Sequence, residues 1–92
     1  MAVASFEDTT EQEAQRIWAG VIDKAKAELP ESTFNMWFGE LRPAGYADGV
    51  LDVMAPSDYV RDWLARHYLD IINIGAAAAA NRTVQVVLGS EP

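Results

Sequence analysis

Residues 41–55 decide the fold, and they read Leu-Arg-Pro-Ala-Gly-Tyr-Ala-Asp-Gly-Val-Leu-Asp-Val-Met-Ala. The pair Asp48-Gly49 stands between two short strand-like runs and is a strong β-hairpin signal, because glycine adopts positive φ at little cost. Along residues 50–55 every second side chain is apolar, which is typical of a half-buried strand. Pro43 in the first run indicates that this strand lies at a sheet edge or bulges there.

Helical patterns lie on both sides of this hairpin. Apolar residues recur at steps of three and four over residues 11–29, over a short stretch ending near Gly39, and from Ser57 to about Ile74. The third pattern could continue through the alanine run 76–80, and residues 83–88 are rich in β-branched residues typical of a strand. The sequence therefore predicts an α+β fold, in the order α-α-β-β-α-β, with a small three-stranded sheet packed against helices.

The length of 92 residues fits one domain. Residues 1–10 are acidic and show no regular spacing of apolar residues, so we expect a flexible N-terminus there. Residues 11–88 form the predicted domain, and residues 89–92, Gly-Ser-Glu-Pro, suit the start of a linker or tail.

Composition excludes several classes of function. The chain holds 14 acidic and 7 basic residues, a net charge of −7, which opposes tight binding to nucleic-acid phosphates. It has no cysteine, which excludes disulfides and thiolate metal sites. Its most apolar stretch is far shorter than the roughly 20 residues that a membrane helix needs, and no targeting signal is visible. We therefore expect a cytoplasmic protein with no membrane insertion.

No arrangement of residues in the sequence predicts catalysis. His67, the only histidine, has no nucleophile or metal-ligand cluster beside it in sequence, and we expect it to be half-buried on the third helix. There is no Gly-x-x-x-x-Gly-Lys phosphate loop. We expect no catalytic residue, no metal, no cofactor and no enzymatic activity.

Two separated blocks of sequence resemble one protein family. Residues 28–38, Glu-Leu-Pro-Glu-Ser-Thr-Phe-Asn-Met-Trp-Phe, resemble the second-helix region of the N-terminal domain (domain I) of the bacterial replication initiator DnaA. Residues 55–64, Ala-Pro-Ser-Asp-Tyr-Val-Arg-Asp-Trp-Leu, resemble the start of that domain's third helix. The resemblance covers about residues 14–88. It implies a KH-like fold and a protein–protein interaction module for self-association, replicative helicase recruitment and docking of replication regulators at the origin.

The resemblance also implies site residues. Trp18 matches a position used for self-association, although its place on an apolar stripe equally fits a core residue. Tyr59 matches a helicase or regulator contact. Thr33 stands where some members carry an acidic helicase contact, so the missing charge leaves that contact in doubt.

Nucleic-acid binding is the alternative function. KH-like domains bind single strands through a Gly-x-x-Gly loop, which this sequence lacks. A base-stacking platform would need exposed aromatic residues beside basic ones, whereas Trp37, Phe38 and Trp63 are expected in the core. We therefore expect at most weak binding of single-stranded DNA.

Overall fold

A computed structural model describes the backbone of residues 6–90. Its elements, in chain order, are α1 (Phe6–Glu28), α2 (Glu31–Phe38), β1 (Arg42–Ala47), β2 (Val50–Ala55), α3 (Asp58–His67), α4 (Leu69–Ala80) and β3 (Gln85–Ser90). The predicted α+β class and the three-stranded sheet are confirmed. The flexibility predicted for residues 1–10 stays a prediction, and residues 1–5 lie outside the described part of the chain.

The sheet has the order β1-β2-β3, with β1 antiparallel and β3 parallel to the central β2. The hairpin turn has φ of 53° at Asp48 and 78° at Gly49. Positive φ at both central residues matches the right-handed twist of the flanking strands. Pro43 lies on an edge strand, and the pairing register shifts between Pro43 and Gly45. The sequence therefore predicted both the hairpin and the disturbed edge correctly.

The core lies between one face of the sheet and the helices. On β2 the side chains of Leu51, Val53 and Ala55 are fully buried, whereas Asp52 between them is exposed. Helices α1 and α4 cover this face with the apolar stripes expected from the sequence. Their buried members include Ile17, Val21 and Ala25 of α1 and Ile72 and Ala76 of α4.

Small residues let α1 and α4 approach closely. A Cβ atom added at Gly75 would lie 2.9 Å from the Cα of Val21, and one added at Gly20 would clash with the Cβ of Ala79. The alanine run of α4 is therefore a packing surface for α1. Arg16 adds a polar link, because its Nη1 donates to the carbonyl oxygen of Ala79 at 2.9 Å.

The third helix differs from the prediction of one continuous helix. Tyr68 has φ of −128° and ψ of 8°, and it separates α3 from α4. Its ring packs against Phe38 with centroids 5.9 Å apart. The break between α3 and α4 contains no proline or glycine, and it coincides with this contact between Tyr68 and α2. The chain changes direction at Tyr68, and α4 then packs along α1. The first helix also begins at Phe6, earlier than the predicted Glu11.

Among residues 6–90, no helix combines the length and the apolar character needed to cross a membrane.

Candidate protein-interaction site

A stack of rings joins α2 to α3. The indoles of Trp37 and Trp63 lie 4.8 Å apart between centroids, with planes 9° from parallel. Tyr59 packs against Trp37 at 5.9 Å, and His67 packs against Trp63 at 4.2 Å. We call Trp37, Tyr59, Trp63 and His67 the aromatic ridge.

Helical spacing places three of these rings in one row. Tyr59, Trp63 and His67 follow at steps of four along α3, so they share one side of the helix. The start of α3 is fixed by Ser57, whose Oγ accepts a hydrogen bond from the N–H of Val60 at 3.3 Å. Because this N-cap fixes the start of α3, it places Tyr59 in the first turn of the helix.

The ridge is not part of the closed interior. The side chain of Tyr59 is 66% exposed, and His67 is also exposed rather than half-buried as expected. Trp37 and Trp63 are half-buried rather than enclosed in the core as expected, although Trp37 packs against the core cluster. Phe38, by contrast, is buried as expected.

Trp63 also carries an unsatisfied polar atom. Its Nε1 is shielded from solvent and donates to no acceptor among the described residues. A buried donor without a partner costs about 1–3 kcal/mol.

Acidic groups neutralise Arg61 on α3. Arg61 lies 3.3 Å from Asp58 through Nη1 and 3.1 Å from Asp62 through Nε. Two carboxylates therefore share one guanidinium, and this turn of α3 is acidic. A row of partly exposed rings beside such a group resembles a protein-binding surface more than a phosphate-binding one.

The predicted residues Thr33 and Tyr59 both belong to the two helices that build the ridge. Thr33 is half-buried, one helical turn before Trp37 on α2. Met36, which the sequence did not single out, is 69% exposed on the same helix. Its exposure could not be read from the sequence, because a methionine on a short amphipathic helix fits the core equally well.

Trp18 lies elsewhere, in the core. Its side chain is 7% exposed and belongs to the main hydrophobic cluster. The small exposed part of the Trp18 side chain faces a shallow depression lined by Gln15, Trp18, Ala19, Arg42 and Pro43. None of these residues belongs to the aromatic ridge. The predicted role of Trp18 in self-association stays a prediction.

The described residues include no group of three or more histidine, aspartate and glutamate side chains that could hold a metal ion. One carboxyl on α1 has a shifted pKa: hydrogen bonds from the Arg16 guanidinium, at 2.9 and 3.2 Å, lower the pKa of Glu13 below its usual range. This pair is exposed and lies on α1, away from the ridge.

Taken together, these features define a small α+β domain with a mixed three-stranded sheet and a partly exposed aromatic ridge between two helices. The family model of the DnaA N-terminal domain matches residues 15–78, and the chain belongs to that family.

Two similar proteins are both named chromosomal replication initiator protein DnaA. The protein from a strain of Thermus thermophilus is 34% identical over 58 residues, which are 63% of this chain and 13% of that protein. The protein from Caldanaerobacter subterraneus is 25% identical over 77 residues, 84% of this chain and 17% of the relative. The chain therefore corresponds to a small part of the length of these relatives.

Proposed function

We propose that this chain is a non-catalytic protein-interaction module of a chromosomal replication initiator in the bacterial cytoplasm. In this proposal the aromatic ridge docks the replicative helicase or a replication regulator at the origin. Tyr59 supplies the exposed anchor, and Thr33 lies at the α2 side of the contact.

The observation that carries the proposal is the partly exposed stack of Trp37, Trp63 and Tyr59. Tryptophan and tyrosine are enriched among the residues that dominate binding energy at protein interfaces. Rings already stacked on each other lose little conformational freedom when a partner covers them, which favours binding.

Charge supports a protein partner over a nucleic acid. The chain carries a net charge of −7, and Arg61 beside the ridge is shared by Asp58 and Asp62. A base-stacking platform needs unpaired cations to follow the phosphates. Weak single-stranded DNA binding remains the alternative, and micromolar affinity at physiological salt would favour it.

The test is the affinity of Tyr59→Ala for the replicative helicase of the same bacterium, measured by isothermal titration calorimetry. We expect a loss of about tenfold or more, because Tyr59 is an exposed aromatic anchor. Tyr59→Phe is the matched control and should bind nearly as well, because it keeps the ring. Unchanged affinity of Tyr59→Ala, with an unchanged melting temperature, would contradict the proposal.

We propose, in addition, that the domain self-associates. Trp18 is the residue for which the family resemblance implies this role. Because its side chain is buried, Trp18→Ala is expected to destabilise the fold by about 3–5 kcal/mol and cannot report on association alone. Ala19→Lys, on the exposed side of the same depression, probes this surface without opening the core.

A further inference from the structure

The strand β3 forms one edge of the sheet, because β2 is its only neighbour. The N–H of Gln85 donates to the carbonyl oxygen of Gly49 at 2.9 Å, so Gln85 turns its backbone groups toward β2. Backbone groups of successive strand residues point to opposite sides. The N–H and C=O groups of Val86 and Leu88 therefore point away from the sheet, where no strand of the described chain pairs with them.

The two edges of the sheet differ in their protection. Natural proteins guard edge strands with prolines, bulges and charged side chains. The edge strand β1 has two of these devices, Pro43 and the bulge beside it. Residues 83–90, Thr-Val-Gln-Val-Val-Leu-Gly-Ser, contain neither a charge nor a proline. Within the described residues, β3 is thus the edge open to strand addition.

An uncharged groove runs beside this edge, between α4 and the first half of β3. It is lined by Leu69, Asn73, Ile74, Ala77, Thr83, Val84, Gln85 and Val86. Its rim includes Ile74, which is 55% exposed. Arg82 precedes the strand, but its guanidinium lies 5.5 Å from the Tyr46 ring of β1, the strand at the opposite edge of the sheet. The groove therefore offers mainly apolar contact next to unpaired backbone groups.

We propose that an extended segment of a basic partner protein adds to β3 as an antiparallel strand. A strand supplies N–H and C=O groups at the spacing that the outward groups of Val86 and Leu88 require. Antiparallel pairs are also slightly more stable than parallel ones. The side chains of the segment that face the groove are apolar, because a charge there would lose water without gaining an ion pair. Its other side chains face solvent and are polar.

Charge favours a basic partner over a second copy of this chain. The chain carries a net charge of −7, so it repels its own copy and attracts a basic protein. At the end of β3, Ser90 donates to Asp58, and Asp58 and Asp62 share the guanidinium of Arg61. One negative charge is left over among these groups. In an antiparallel pair the N-terminal end of the added segment lies there, so a lysine or arginine fits at that end.

This edge is a second surface, separate from the proposed helicase site. None of the residues that line the groove belongs to the aromatic ridge. Binding at the edge therefore does not need the Tyr59 ring, and Tyr59→Ala should leave it unchanged.

The probe is the peptide acetyl-Lys-Val-Thr-Val-Thr-Val-Lys-amide, titrated to millimolar concentration into the isotope-labelled 92-residue chain. In nitrogen–proton correlation spectra the Val86 and Leu88 signals should shift, and both amides should become protected from hydrogen exchange, because they donate to the peptide. The same peptide with glutamate in place of both lysines should bind more weakly, because the chain carries a net charge of −7.

Methylation of single peptide nitrogens separates strand addition from loose apolar contact. With the valines in the groove of an antiparallel pair, the valine N–H groups point to β3 and the threonine N–H groups point away from it. N-methylation of the central valine should therefore weaken binding about tenfold or more, because it removes a hydrogen bond and places a methyl group between the strands. N-methylation of a neighbouring threonine is the matched control and should leave the affinity within about twofold.

A pair of protein variants locates the site on the chain. Ile74→Asp places a carboxylate at the rim of the groove and should weaken binding of the lysine peptide about tenfold, because the peptide valines would cover the charge. Ala19→Asp is the control, since Ala19 is exposed on α1 and lies outside the groove. Both variants change the net charge from −7 to −8 (−7 − 1), so general attraction of the peptide affects them equally.

Three results would overturn strand addition by a basic segment. The Val86 and Leu88 signals could stay unchanged at millimolar peptide. The two methylated peptides could bind equally, which would show that the peptide does not pair as a strand. The two amides could become protected in the free chain as its concentration rises, which would assign the edge to a second copy. Helicase docking through Tyr59 is decided by its own titration in each case.

Discussion

At the residue scale, the stability of this domain depends on glycines at the contact between two helices. At Gly20 and Gly75, α1 and α4 approach so closely that an added Cβ atom would clash with the facing helix. Neither glycine stands out in the sequence as a packing position. Their purpose depends on the partner helix, which local periodicity does not specify.

Gly20→Ala should therefore lower the free energy of unfolding by about 1–3 kcal/mol, despite the better helix propensity of alanine, because the new methyl group overlaps Ala79. Urea denaturation followed by circular dichroism measures this change. Gly45→Ala is the control, because a Cβ there has no neighbour within 4 Å. It should stay within about 0.5 kcal/mol of wild type. A Gly20→Ala variant as stable as the control would contradict the close packing of the two helices.

At the element scale, the sequence predicted what local chemistry controls. The hairpin followed from Asp48-Gly49, the disturbed edge from Pro43, and the start of α3 from Ser57. The break at Tyr68 was missed because the sequence around it continues the helical pattern. It occurs where the ring of Tyr68 packs on Phe38, a contact between residues far apart in the chain.

The hairpin provides the test at this scale. Gly49→Ala should destabilise the domain by about 1–2 kcal/mol, because φ is 78° there although no atom lies near the added Cβ. Gly45→Ala again serves as control, since it adds the same methyl group in open space without positive φ. Thermal unfolding of the two variants separates backbone strain from crowding, and equal melting temperatures would show that the turn relaxes to another type.

At the scale of the whole molecule, the aromatic residues divide into two groups. Trp18 and Phe38 are buried with the core, whereas Trp37, Tyr59 and Trp63 form the partly exposed ridge between α2 and α3. The sequence pointed to Tyr59 and Thr33 in this region, but it assigned Trp37 and Trp63 to the core. Periodicity identifies the apolar side of each helix, but it does not tell how far the neighbouring helix covers that side.

The three tryptophans make the central claim directly measurable, because each indole N–H gives its own signal in a nitrogen–proton correlation spectrum. On titration with the replicative helicase, the signals of Trp37 and Trp63 should shift or broaden, while that of Trp18 stays in place. Movement of the Trp18 signal alone, with the two ridge indoles unchanged at saturation, would contradict docking through the aromatic ridge.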